Sequence, residues 1–220
     1  MPTTRDRAIV VVDVKTSGDE FNRLGHVPVE IAWWNLATGD SGDFLVKHNV
    51  QYVTDFGDPD ALRALRYVER GLGDQDQDVN HRELIRLESH LYANTLAAVD
   101  VARVARLLAL QYKLVPPYLR PNWEDNVTTN EPWHPRLLDL ASFASGTLGT
   151  APGRLDSLAD LAAALDVDPF REGTAAGDVH TAGECLLELI ARSETQHHRG
   201  AQLRRLFGGR RRARRLAVAR

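Results

Sequence analysis

The segment Ile9-Val10-Val11-Val12-Asp13-Val14-Lys15-Thr16-Ser17-Gly18 constrains the fold of this chain more than any other. A β-branched apolar run that ends in an acid and a small polar turn reads as a buried strand delivering Asp13 to the edge of a sheet. Side chains two apart on a strand share a face, so Lys15 points wherever Asp13 points. A carboxylate placed to hold a cation therefore has an ammonium beside it.

The segments that follow supply the rest of an α/β layer. Residues 29–36 and 43–48 are strand-like, and the Gly- and Asp-bearing joint 37–42 predicts a hairpin antiparallel to the first strand. Residues 59–70 carry Leu62, Leu65 and Val68 at helical spacing, and 71–80 read as a loop. Residues 81–93 fit helix and strand equally. Val101, Val104, Ala105 and Leu108 form the apolar stripe of a helix over 99–110, with Asp100 in its first turn. Five prolines and two tryptophans make 112–135 an irregular excursion, a candidate cover for a groove, and 137–140 read as a strand. Ser157 caps a helix that runs to Leu165, and 176–191 form the last core helix, with Asp178 in its first turn. This order predicts a mixed α/β sheet flanked by helices.

Size and charge bound the remaining choices. The 220 residues, 43% of them hydrophobic, suffice for one domain, here over 8–192. The single Cys185 excludes an internal disulfide and fits a cytoplasmic setting. No run is long enough to cross a membrane, and no signal peptide is expected. Residues 199–220 hold nine arginines and no acid, so 18 bases face 30 acids in residues 1–198, a balance of −12. A basic extension on an acidic body is suited to sequence-independent attraction of phosphates, as well as to a plain solvated terminus.

Asp13, Asp100 and Asp178 come from three separated elements with little His or Cys nearby, a donor set suited to Mg²⁺ or Mn²⁺. Taken singly, an acid in the first turn of a helix needs no function, because it complements the helix dipole.

In order and surroundings these acids resemble the DnaQ-like, DEDDh-type 3′-5′ exonuclease family, which has an RNase H-like fold. Asp13-Val14-Lys15-Thr16-Ser17-Gly18 resembles its first motif, Asp-x-Glu-Thr-(Thr/Ser)-Gly, except at the glutamate. Asn94 through Asp100, followed by an amphipathic helix, resembles the second, with Val99 in place of the usual Phe and about two extra residues before it. Gly173-Thr174-Ala175-Ala176-Gly177-Asp178 resembles the third, His-x-Ala-x-x-Asp, except at the histidine, and Leu155 through Leu161 resembles the helix before it. Residues 61–70 and 132–139 are similar to segments of actinobacterial and actinophage members. The resemblance implies Asp13, Asp100 and Asp178 as catalytic and metal-binding positions. It also implies Thr16, Ser17 and Gly18 as nucleic-acid contacts and single-stranded DNA or RNA as ligand. Arg204, Arg205, Arg210, Arg211, Arg212, Arg214 and Arg215 are the further candidate phosphate contacts.

Two departures bear on activity. Lys15 stands where the resemblance implies a metal-binding glutamate, reversing a charge beside Asp13. At about 4 Å and an effective dielectric near 20, two unit charges interact by roughly 4 kcal/mol, enough to compete with a cation. Gly173 stands where it implies the histidine base, a role worth about 100- to 10,000-fold in rate. His180 falls about 200° around its helix from Asp178 and faces away; a register that makes His180 the motif histidine needs an acid at Cys185. Nothing in the sequence brings His90 or His134 to the site. Three readings follow: a catalytically impaired member that binds nucleic acid or a partner, an active metal-dependent exonuclease with a modified site, and a phage or host scaffold.

Overall fold

The computed structural model describes residues 7–18, 27–73, 81–115 and 131–195. Strand β1 (Ile9–Thr16) lies at the centre of a five-stranded sheet of order β3-β2-β1-β4-β5. The hairpin of β2 (Pro28–Asn35) and β3 (Ser41–Leu45) pairs antiparallel to it on one side. On the other side, β4 (Thr95–Ala98) and β5 (Leu138–Asp139) run parallel to it. This is the expected mixed α/β sheet, an RNase H-like arrangement in one domain. The hairpin turn is shorter than its sequence suggests, because β3 begins at Ser41 and not at Asp43.

The alternation of β1 divides the core. Val10, Val12 and Val14 pack with Leu84, Leu87 and Leu91 of α3 (His81–Leu91) and Val104 and Leu108 of α4 (Val101–Tyr112). Val11 packs on the opposite face with Leu140 of α5 (Leu140–Leu148), Leu161 of α6 (Leu158–Leu165) and Leu186 of α7, a helix over 175–195. Helices thus cover both faces, as an apolar run through β1 requires. A satellite cluster of Val29, Val53, Leu65, Tyr67 and Leu72 seats α1 (Val50–Phe56) and α2 (Pro59–Ala64) beside β2.

Several sequence expectations shift. The ambiguous 81–93 stretch is helical, its apolar residues falling on one face as α3. The helix expected over 59–70 stops at Ala64, and Arg66, at φ 51°, turns the chain out of it. The strand expected over 137–140 keeps two residues, since the Asp139 side chain accepts the Ser142 N–H at 2.7 Å and starts α5. Ser157 caps α6 as expected, its Oγ accepting the Asp160 N–H at 3.1 Å. The proposed groove cover falls mostly on 116–130, and the loop largely on 74–80; both stretches lie outside the described residues, as do all seven candidate arginines of the tail. No helix among the described residues is long and apolar enough to cross a membrane.

Candidate functional site

The odd-numbered face of β1 turns Asp13 and Lys15 toward α7. Thr174 starts that helix by accepting the Gly177 N–H at 2.9 Å, which places Asp178 one turn in. Gly177 is required there, because a Cβ would lie 2.2 Å from the carbonyl oxygens of Phe170 and Arg171. The close approach brings Asp178 over the end of β1.

Between the two carboxylates sits the Lys15 ammonium. It donates to Asp178 Oδ2 and lies 3.1 Å from Asp13 Oδ2. Among the described residues this ionic contact is what meets Asp13 Oδ2, which is out of contact with solvent. Burial pulls the Lys15 pKa down, but Asp13 and Asp178 outweigh it and hold the ammonium above its ordinary 10.5. Burial pushes the Asp178 carboxyl above its ordinary 3.8; Lys15 offsets part of this, and Asp13 and Glu30 add to it.

A second ion pair backs the first. Glu30 is opposite Lys15 in the β1–β2 ladder, next to a register shift that re-aims the end of β1. Its buried carboxylate takes Arg70 in a two-pronged contact, Nη2 to Oε1 at 2.9 Å and Nη1 to Oε2 at 3.1 Å. Arg70 Nη1 also donates to the Gly173 carbonyl at 3.1 Å, tying the loop before α7 to β2. Sequence reasoning missed this pair: the hairpin register that sets Glu30 against Lys15 depends on the turn, and nothing local marks Arg70.

The third acid has a different role. Asp100 is the cap of α4 and not part of its first turn, its Oδ1 accepting the Arg103 N–H at 3.1 Å. It shares a cavity of about 250 Å³ with Asp13, Asp178 and Asp156. Among the described residues, no group of three or more His, Cys, Asp and Glu side chains is arranged to hold a metal ion. With an ammonium between Asp13 and Asp178, the described residues do not fit the expected Mg²⁺ or Mn²⁺.

The motif turn is also spent internally. Thr16 Oγ1 donates to the Gly18 carbonyl at 2.5 Å and accepts Arg103 Nη2 at 2.6 Å. Buried Ser17 Oγ accepts the Val27 N–H at 3.0 Å. Thr16 still lines an adjoining cavity of about 650 Å³ with Lys15, Arg103, Asp60 and Glu172. Among the described residues, six acids, Asp13, Asp60, Asp100, Asp156, Glu172 and Asp178, line the two cavities with two bases, Lys15 and Arg103.

Gly173 is not a vacant histidine position. Its φ is +80°, and a Cβ would lie 2.6 Å from the Ala64 carbonyl oxygen, so no side chain fits without moving α2. His180 stacks on Trp34 at 5.2 Å and tilts against Phe170 at 4.7 Å, in another cavity. His90 lies against Trp33, and the His134 N–H bonds the Asn94 carbonyl.

Comparison with known proteins rests on structure alone. No protein-family model and no curated protein sequence matches the chain. Among solved structures it is similar to a 3′-exonuclease that recognises the 3′ end of the histone mRNA stem-loop. That likeness has 12% identity and a TM-score of 0.59, over 84% of this chain and 82% of that one. It is also similar to exonuclease I in a product-bound structure, at 12% identity and a TM-score of 0.60, over 87% of this chain. E. coli exonuclease I with a dT13 oligonucleotide gives a TM-score of 0.58 at 12% identity, over 84% of this chain and 41% of that one. The chain spans 45% of the length of exonuclease I in the product-bound form. At these identities the likeness establishes a shared fold.

Proposed function

We propose that this chain is a nuclease-fold protein in which the Lys15 ammonium replaces a catalytic cation, and that it binds single-stranded DNA or RNA without cutting it. The observation that carries the reading is the placement of Lys15 between Asp13 and Asp178. A two-metal phosphoryl-transfer site needs carboxylates free to bridge cations, one of which activates water. In this reading a tethered ammonium stands in for one of those cations; unlike a metal ion it has no coordination site at which to acidify a water, and the loop position matching the expected base has no room for a side chain.

Charge divides the labour between the cleft and the tail. The described lining of the cleft, six acids with two bases, repels a phosphate backbone. The arginines between 199 and 220 attract one, so they supply the binding energy in this reading, and residues 8–192 form the domain that carries them.

The test is a 3′-labelled single-stranded oligonucleotide incubated with the full chain and Mg²⁺ or Mn²⁺. The expected result is an intact strand whose binding is insensitive to EDTA and weakens steeply with salt. Metal-dependent release of nucleotides that Asp13→Ala abolishes overturns the reading. It would favour an exonuclease working from the cavity shared by Asp13 and Asp100.

A further inference from the structure

Strand β3 ends the sheet, and its ladder shows which backbone groups are already used. The Asn35 N–H donates to the Asp40 carbonyl and the Val46 N–H to the Val29 carbonyl. By antiparallel alternation, even-numbered residues face β2, while Ser41, Asp43, Leu45 and Lys47 turn their N–H and C=O outward. Arg86 Nη2 donates to the Ser41 carbonyl at 3.3 Å and closes that end. Among the described residues no partner meets the outward groups of Asp43, Leu45 and Lys47. An edge of this kind is a template for another strand.

We propose that this edge pairs with the same edge of a second copy, antiparallel and centred on Leu45. A two-fold axis forces each residue to meet its mirror position, so the sequence of the edge can be tested against itself. Centred on Asp43, the register sets two carboxylates face to face. Centred on Phe44, it sets Asp43 against Leu45. Centred on Leu45, it sets Asp43 against Lys47 twice, Phe44 against Val46 twice, and Leu45 against Leu45. Opposite charges and an aromatic against a β-branched residue are the favourable cross-strand pairs.

The surroundings agree with this register. On the Phe44 and Val46 face, a cavity of about 370 Å³ opens at the edge. Leu114 on its wall is 66% exposed, an apolar surface that a second copy would cover. The product is one continuous ten-stranded sheet through two copies, with Lys15 and its carboxylates two strands in from the joint.

Light scattering after size exclusion, run on the full chain over a range of concentrations, tests the proposal. The expected species has twice the 24.5 kDa chain mass. Asp43→Lys and Lys47→Asp should each weaken dimerisation at least tenfold, and the two together should restore it to within a few-fold. Leu45→Pro, which removes an outward N–H and leaves the β2 ladder intact, should also give monomer. Unchanged thermal midpoints at dilution would show that each variant folds. In the parent chain, the Asp43 and Leu45 amides should gain protection from exchange as concentration rises. A monomer at all concentrations, a dimer indifferent to either single charge reversal, or a double swap that fails to restore it each overturns the assignment.

Discussion

Replacing Lys15 by methionine keeps a side chain of similar length and deletes the charge between Asp13 and Asp178. At 3.1 Å and an effective dielectric near 20, the ammonium–Asp13 attraction alone is about 5 kcal/mol, opposed by the cost of burying both ions. Breaking a fully buried pair costs about 3–5 kcal/mol; these side chains are 21–29% exposed, which reduces the expected loss to about 2–3 kcal/mol. For a domain of this size that lowers the thermal midpoint by about 4–12 °C. Lys15 has its pKa raised on folding, so the stability it brings is complete below pH 10.5 and fades as pH rises beyond it. Without Lys15 the Asp178 carboxyl moves further above 3.8, so the variant's deficit grows as pH rises through that carboxyl's folded pKa. Thermal unfolding of both proteins from pH 4 to pH 11, with and without Mn²⁺, measures all of this. The gap should be widest near neutrality, and Mn²⁺ should raise the variant's midpoint while leaving the parent's in place; at 100 times its Kd a bound ion adds about 2.7 kcal/mol. A variant as stable as the parent at pH 7, or a parent stabilised by Mn²⁺ as much as the variant, refutes the reasoning.

Gly173→Ala should lose about 1–3 kcal/mol in denaturant unfolding, from the positive φ and the Ala64 carbonyl, and Gly173→His at least as much, with no gain of nuclease activity beside Lys15→Glu. Arg70→Leu leaves the buried Glu30 carboxylate uncompensated and should cost about 3–5 kcal/mol, while Arg70→Leu with Glu30→Met recovers most of it in the same assay. Truncation after His198 should weaken single-stranded oligonucleotide binding and flatten its log–log salt slope by about 0.7 for each arginine that was neutralising a phosphate; equal slopes with and without the tail would contradict the division of charge.

What could be read from the sequence was what depends on local pattern. The β1 run, the stripe of α4, the Ser157 cap and the sharing of one face by Asp13 and Lys15 follow from periodicity and capping, which act over a few residues. What could not be read depends on chain paths. Glu30 meets Lys15 because the hairpin turn sets that register, and Arg70 reaches Glu30 only after the chain has turned out of α2 at Arg66. Gly173 illustrates the limit most directly: by motif it was a missing histidine, whereas the backbone of α2 makes it a position that a side chain cannot enter. Short strands such as β4 escaped because four residues, one face against α4, carry too little alternation to register.

The presence of Asp13 and Asp178 beside one another has two explanations that predict different energetics. Carboxylates kept to bind metal repel one another when no metal is present, and a neighbouring lysine is incidental to them. Carboxylates kept to neutralise Lys15 are coupled to it. A double-mutant cycle between Lys15 and Asp178 separates the two, because it reports the interaction and cancels the burial that dominates Asp178 by itself. With Lys15 present, Asp178→Asn relieves burial of a charge but takes a partner from the ammonium. With Lys15→Met, the same change relieves burial and also removes the repulsion from Asp13. Asp178→Asn should therefore be more favourable in the Lys15→Met background by about 0.5–3 kcal/mol at neutral pH, the range for residues in direct contact. The excess should shrink as pH falls through the Asp178 folded pKa, where the carboxyl is already neutral. Equal effects of Asp178→Asn in both backgrounds would mean that the ammonium and the carboxylate do not hold one another, and the case for a lysine in place of a metal would fail with them.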